Sequence, residues 1–278
     1  MDSSTGERRV VSAVAERGSR PPVAGEDIRR YLDLLQRSVT GYLALGGAEP
    51  FSAFRALDGV RYRDFTWDLT EQLIPRTLLT EPQLDNFEQA IRTVVAEGVE
   101  GDILEAGVWR GGACIYARGV LAALGVEDRT VWAADSFAGI PASGTADRPE
   151  PVDDWLDRWV TPREDVEAAF ERYGLLDEQM QFIEGPFAQS LSAPSPAKLS
   201  VIRLDADTYT STTQALDALY PRLSPGGFVI IDDWHVPSAR SAVLDYRQRH
   251  GIAGPLQPVL GPDDDMTLYE MQWRSEHR

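Results

Sequence analysis

Apolar residues in this chain follow two periodicities that alternate along its length. Apolar positions three and four apart read as amphipathic helices, and short unbroken apolar runs bounded by glycine or an acid read as buried strands. From Glu26, the stretch EDIRRYLDLLQRSVTGYLAL sets Ile28, Tyr31, Leu32, Leu35, Val39 and Tyr42 at helical spacing, and predicts a helix ended by Gly46-Gly47. Phe51 to Leu79 has several aromatics but weak periodicity, and reads as short helices or a cover over a site. Thr80 and Pro82 then open a second helix with Leu84, Phe87, Ile91 and Val94 on one face, stopping at Gly98. Proline is tolerated in a first turn because the N–H it lacks has no partner there.

Beyond Gly98 strands and helices alternate. Asp102 to Gly107 predicts a strand, Gly111 to Leu124 a helix, and Thr130 to Ala134 a second strand ending at Asp135. After a Pro- and Asp-rich insertion (139–162) come a helix from Arg163 to Tyr173 and a strand from Met180 to Glu184. Two further apolar runs, VIRL and FVII, are separated by STTQALDALYPRL, with Leu216, Leu219 and Leu223 on one helical face. A helix from Ser238 to His250 and closing strands at Gln257 to Leu260 and Met266 to Trp273 complete the chain. Alternation of this kind predicts an α/β fold, a doubly wound, mostly parallel seven-stranded sheet of Rossmann-like type. Residues 25–98 are expected to form an N-terminal helical cover and 99–278 the sheet domain, while 1–24, rich in Ser, Gly, Arg and Glu, read as a disordered tail. An insertion as long as 139–162 inside a compact domain is expected to be functional or mobile.

Composition narrows the partners. Among 278 residues, Asp+Glu number 44 against 27 Lys+Arg, a net charge of −17. So acidic a surface disfavours nucleic acid and anionic membranes, which are bound through clustered basic residues. No run approaches the roughly 18 apolar residues of a membrane span, and the first twenty residues do not read as a secretory signal. Cys114 is the only cysteine, which excludes an internal disulfide and a thiolate zinc cluster. A cytoplasmic protein is expected.

The candidate chemistry lies at strand ends, where open α/β sheets bind ligands. VIRLDADTYTST carries Asp205 and Asp207, and GGFVIIDDWH carries Asp232 and Asp233. Three or four carboxylates in one small volume repel unless a cation sits among them, which predicts a divalent-metal site. Each pair taken alone also fits turn and helix-cap chemistry. His235 fits a second base, a metal neighbour or a hydrogen-bonded structural histidine. Trp155 and Trp159, four apart on the insertion, fit either substrate stacking or packing within a lid.

The loop LEAGVWRGGA follows the first strand, where nucleotide cofactors dock. Trp109 stands where a dinucleotide fingerprint needs its middle glycine, and the chain has no G-x-x-x-x-G-K-[ST] phosphate loop. Glu105 before the turn suits a cationic amine, and Asp135 suits a ribose diol. Amine and ribose acids without a phosphate grip describe S-adenosylmethionine, although either acid could merely cap a helix or make a surface pair.

Taken together, LEAGVWRGGACI, ADSFAGIP, RYGLLDEQMQFIEGPFAQSL, RLDADTYTSTTQALDALYPRLSPGGFVIIDDWH and DYRQRHGI resemble the TylF/MycF family, S-adenosylmethionine- and Mg-dependent sugar O-methyltransferases of antibiotic tailoring. The resemblance covers roughly Glu26 to Trp273. It implies a class I methyltransferase fold, Mg²⁺ on Asp205, Asp232 and Asp233, and Asp207 as the base. It also implies cofactor contacts from Glu105, Gly107, Asp135, Ser136, Gly185 and Phe187. Trp109 is expected beside them, and so are Thr77 and Leu78, which stand before Leu84-Asp85-Asn86 at the family's spacing. Thr80 for a glycine, Pro186 for an aromatic and Ala206 for a glycine depart from the family pattern near that site. A glycosylated small-molecule acceptor and a homo-oligomer, dimer or higher, are the implied partners.

Methyl transfer from a sulfonium needs an oxygen nucleophile at or near the alkoxide state. A hard cation lowers a hydroxyl's pKa and orients it, and Mg²⁺ prefers oxygen ligands with positions left for water or substrate. Asp207, two residues from Asp205, is free to take the proton if it is not a ligand. Catechol methylation and a non-catalytic nucleotide- or metal-binding module are the competing readings.

Overall fold

The computed structural model describes residues 25–45, 75–140, 159–193, 196–259 and 270–276. The expected tail, most of Phe51 to Leu79, and most of the 139–162 insertion, Trp155 included, lie outside the described residues. Helices α1 (Gly25–Val39), α2 (Tyr42–Leu45) and α3 (Glu81–Ala96) precede strand β1 (Asp102–Ala106). There follow α4 (Gly112–Leu124), β2 (Val131–Asp135), α5 (Arg163–Tyr173), β3 (Met180–Glu184) and the short α6 (Phe187–Ser190). The chain closes with β4 (Leu199–Leu204), α7 (Tyr209–Leu219), β5 (Leu223–Ile231), α8 (Pro237–Arg249), β6 (Gln257–Val259) and β7 (Glu270–Arg274).

The seven strands form one sheet in the order β3-β2-β1-β4-β5-β7-β6. β1 to β5 pair in parallel, and β7 runs antiparallel between β5 and β6. Strand order therefore reverses between β1 and β4, the crevice at which doubly wound sheets bind ligands. Among the described residues no helix is long and apolar enough to cross a membrane.

Each face of the sheet is covered by its own core. On one, Ile103, Val131, Val201 and Ile230 pack with Leu32, Leu35 and Val39 of α1, Phe87 and Ile91 of α3, and residues of α4 and α5. On the other, Leu104, Ile202, Leu204 and Val229 pack against Leu216 and Leu219 of α7, Val243 and Tyr246 of α8, and Trp273. Burial on both faces is why these strands read as apolar runs rather than alternations.

Three boundaries differ from the sequence reading, each for a local reason. The first helix stops at Val39 and not at Gly46-Gly47, because Gly41 takes φ 75° and the Thr40 hydroxyl bonds back to the Gln36 carbonyl at 2.9 Å. The helix expected to reach Leu223 ends at Leu219, and Tyr220–Arg222 form a 3₁₀ turn around Pro221, which has no N–H to donate. Leu223 opens β5 instead, and the register against β4 slips between Leu199 and Val201 to absorb the Ser-Pro-Gly-Gly stretch.

Candidate active site

Register brings the candidate residues to one level. Ala106 pairs with Ala134 on one side and Leu204 on the other, and Leu204 pairs with Ile231. The next residues, Gly107, Asp135, Asp205 and Asp232, therefore leave the carboxyl edge side by side. The described residues hold three non-glycine residues at positive φ, Trp109 (46°), Phe137 (52°) and Asp207 (58°), and all follow strands of this edge. Bulky side chains rarely take that conformation, and such outliers cluster at functional sites.

Gly107, at φ 90°, is where two of these loops touch: a Cβ there would lie 1.6 Å from the Asp205 carbonyl oxygen. Asp135 ties the loops together. One carboxylate oxygen accepts the Val108 and Trp109 N–H groups at 2.6 and 3.2 Å, and the other accepts Phe137 N–H at 2.8 Å. Its carbonyl accepts the Gly185 N–H at 2.9 Å, bringing in the turn before Phe187. Ser136 Oγ donates to the Gly139 carbonyl at 2.7 Å, and Phe187, partly buried, packs on the second core. Thr77, buried, and Leu78 belong to a segment laid across the start of α4, where the Gly112 N–H donates to the Arg76 carbonyl at 2.9 Å. Trp159 meets Trp109 edge to face at 5.7 Å, joining the end of the insertion to the loop after β1.

Both acidic strands end before their acids, β4 at Leu204 and β5 at Ile231. One carboxylate oxygen each of Asp205, Asp207 and Asp233 lies within 4.8 Å of the others, and Asp233 also accepts the Asp207 N–H at 2.8 Å. Asp232 is turned inward: its Oδ1 accepts from Arg203 Nη2 at 2.5 Å and from Gln83 Nε2 at 3.3 Å. The acids brought together are therefore Asp205, Asp207 and Asp233, while Asp232, expected as a ligand, lies outside that group on Arg203 and Gln83. His235 is exposed in the turn beyond Asp233.

Sequence reasoning missed Arg203. Its side chain is 1% exposed, and it contacts Glu105, Asp205, Asp232 and Glu270. Glu105, expected to face a cofactor amine, is buried, with one oxygen taking Arg203 Nη1 at 2.5 Å and the other the Cys114 thiol at 2.9 Å. The available signal was position: Arg203 stands two residues before Asp205 in a strand and pairs with Glu105 across the sheet, so all three share a face.

Electrostatics match this crowding. Burial, then the carboxylates of Asp232 and Asp233, raise the Asp205 pKa well above the ordinary carboxylate range. Burial followed by Asp232 and Asp135 pushes Asp207 up to about 7. Asp233 is raised well above its usual value by burial, then by Asp207 and Asp232. Burial works against the Arg203 charge, but its four acids hold its pKa well up. One guanidinium does not balance this many carboxylates, and a further cation would. The donors are hard oxygens, and the 4.8 Å spread of Asp205, Asp207 and Asp233 is near the roughly 4.1 Å across a Mg²⁺ octahedron, while Asp232 would have to turn from Arg203 to join them. The residues present fit such an ion.

Comparison with known proteins agrees with this architecture. The macrocin-O-methyltransferase (TylF) family matches residues 51–269. The chain is 39% identical over 243 residues to mycinamicin III 3''-O-methyltransferase of Micromonospora griseorubida, covering 84% of this chain and 93% of that one. It is 47% identical over 192 residues (68% and 74% coverage) to 8-demethyl-8-(2,3-dimethoxy-alpha-L-rhamnosyl)-tetracenomycin-C 4'-O-methyltransferase of Streptomyces olivaceus. The solved structure of the O-methyltransferase NovP superposes with a TM-score of 0.75 at 33% identity, covering 90% of this chain and all of that one.

Proposed function

The chain belongs to the macrocin-O-methyltransferase (TylF) family, and on that premise we propose that it moves the methyl group of S-adenosylmethionine onto a hydroxyl of a deoxysugar carried by a natural product. The observation carrying this reading is the gathering of Asp205, Asp207 and Asp233 beside the Gly107 and Asp135 loops, at the switch point of the sheet. Relatives named for methylating mycinamicin III and a rhamnosyl-tetracenomycin suggest the acceptor class.

In this reading Asp205, Asp232 and Asp233 hold Mg²⁺. When bound, the cofactor would supply an electrophilic methyl and the ion would lower the pKa of the acceptor hydroxyl. Asp207 takes the hydroxyl proton. The bond from its peptide N–H to Asp233 holds Asp207 beside the cation site, its carboxylate within 4.8 Å of those of Asp205 and Asp233. Gly107, Trp109, Asp135, Ser136, Gly185 and Phe187 line the cofactor pocket with Thr77 and Leu78, and Glu105, its oxygens held by Arg203 and Cys114, supports that lining from behind. Gly107 allows the backbone to approach closely. Of the two Asp135 oxygens, Oδ2 is taken by the Val108 and Trp109 N–H groups, so a ribose hydroxyl would be met at Oδ1, by replacing the long 3.4 Å Ser136 contact. Holding both reactants in line contributes more than a lone base, which supplies about 10²–10⁴-fold.

The test is an acceptor screen with methyl-labelled cofactor over deoxysugar-bearing natural products and free catechols, in EDTA and after Mg²⁺ is restored. Label is expected on a sugar hydroxyl only when Mg²⁺ is present. Label confined to catechols removes the acceptor assignment, and full transfer in excess EDTA removes the cation.

A further inference from the structure

Arg203 divides its guanidinium between two pairs of acids. Nη1 donates to Glu105 Oε1 at 2.5 Å and Asp205 Oδ2 at 3.0 Å, while Nη2 donates to Asp232 Oδ1 at 2.5 Å and Glu270 Oε1 at 3.3 Å. Asp205 and Asp232, the two cation ligands it joins, come from different strands. A guanidinium is planar and its terminal nitrogens are a fixed covalent distance apart, so the separation of these two carboxylate oxygens follows the fork. Gln83 reaches Asp232 but is not bonded to Asp205. Among the described residues the Arg203 Nε atom has no hydrogen-bond partner, leaving the two terminal nitrogens to seat the group. Burying a charge here is costly, and charge alone would be met by a lysine, which lacks the fork.

We propose that Arg203 is a positioning residue that fixes the spacing of Asp205 and Asp232 and so makes the site select Mg²⁺ over Ca²⁺. This rests on the reading that these carboxylates hold a cation. Mg²⁺ demands near-octahedral oxygens at about 2.0–2.1 Å, whereas Ca²⁺ accepts about 2.3–2.6 Å in flexible arrangements. A rigidly spaced pair favours the smaller ion. Freeing the pair penalises Mg²⁺ much more than Ca²⁺, because only Mg²⁺ depends on that rigidity.

The experiment is calorimetric titration of the full chain with MgCl₂ and with CaCl₂, in the wild type and in Arg203→Lys. The lysine variant is expected to lose about tenfold or more in Mg²⁺ affinity and less than about threefold in Ca²⁺ affinity, compressing the preference. A variant that keeps the wild-type ratio, even with both affinities lowered in parallel, overturns the proposal, because charge or general stability would then account for Arg203. Wild type that binds neither ion removes the cation reading itself, and this proposal with it. A Mg²⁺-bound crystal structure of the wild type gives an independent check should Arg203→Lys fail to fold. Both the Asp205 and the Asp232 contact to Arg203 are expected to persist there, and release of either one overturns the proposal.

Discussion

Replacing Gly107 by alanine tests how tightly the cofactor loop is locked to the acidic loop. The added methyl would lie 1.6 Å from the Asp205 carbonyl oxygen and 2.7 Å from its carbon, at a backbone φ of +90°. Real Cβ contacts essentially never fall under 3.0 Å, so the Asp205 peptide must retreat by at least about 1.4 Å. It is held in place by its N–H, bonded to the Ala106 carbonyl at 2.8 Å, and by its carboxylate on Arg203. The backbone conformation costs a non-glycine residue about 1–3 kcal/mol, and overpacking of this kind costs about 1–3 kcal/mol more. For a chain of this size each kcal/mol lowers Tm by roughly 2–4 °C, so a fall of about 5–20 °C is expected.

Mg²⁺ affinity should fall with stability, because the displaced carbonyl belongs to a proposed ligand, and disturbing what supports a ligand costs about 10–100-fold in metal affinity. Gly185→Ala is the control: its φ is +121°, yet the nearest atom to its Cβ is Ser190 Cβ at 3.6 Å. It bears the backbone cost without the clash, so its Tm loss should be the smaller of the two. Calorimetric unfolding and Mg²⁺ titration of both variants decide the matter. Gly107→Ala with a Tm within about 2 °C of wild type and unchanged Mg²⁺ binding would refute the reasoning.

Asp207→Asn should lower the single-turnover rate by about 10²–10⁴-fold with Mg²⁺ affinity nearly unchanged, while Asp205→Asn loses both. Loss of Mg²⁺ binding by Asp207→Asn would move that residue into the ligand set, which its membership of the 4.8 Å group makes the sharpest alternative. Glu105→Ala and Asp135→Ala should each weaken S-adenosylhomocysteine binding in calorimetry, and wild-type affinity in both would place the pocket elsewhere. Asp207 has an ordinary pKa of 3.8 and about 7 in the folded chain, so the folded state binds the extra proton between those values. Stability contributed by that proton is complete below the lower value and is lost as pH rises through the upper one. Melts in EDTA should therefore lose stability from about pH 4 to beyond 7, and Mg²⁺ should restore more at pH 8 than at pH 5. A metal-free Tm that climbs steadily over that range contradicts the crowding of the acids.

Much of the sheet was legible because strands buried on both faces leave unbroken apolar runs, as DILEA, VWAAD and FVII do. Boundaries failed where a single residue's backbone chemistry decided them, at Gly41 and Pro221. The acids were legible as strand-end residues, but their pairing was not. Two-residue spacing put Asp207 on the side of Asp205 by strand pleat, whereas the chain reaches that place through a residue at φ 58°. Arg203 was hidden for a different reason. Its partners stand 98, 2, 29 and 67 residues away, so a charge inside VIRL looks like an interruption until the sheet is assembled. The same arginine removes Glu105 from simple consideration as a solvent-facing acid, since its ion pair forms only across the β1–β4 pairing.

Strain and charge are concentrated on the same edge of the molecule. Trp109, Phe137 and Asp207 each hold a conformation that costs of order 1–3 kcal/mol, and an aspartate tolerates it better than the two aromatics because its short side chain hydrogen-bonds locally. The acids beside them are held close enough to repel one another, with the Arg203 guanidinium set among them. Neither cost falls on the two apolar cores, which lie beneath the strands rather than at their ends. The loops hold because they are cross-tied: Asp135 binds the backbone of three of them, and Asp233 binds the Asp207 peptide. A ligand that binds only this folded arrangement stabilises it by RT ln(1 + [L]/Kd). A cation relieves the charge term and leaves the backbone term untouched. The left-handed turn at Asp207 and the hydrogen bond from its peptide N–H to Asp233 would therefore offer a cation carboxylates already close together.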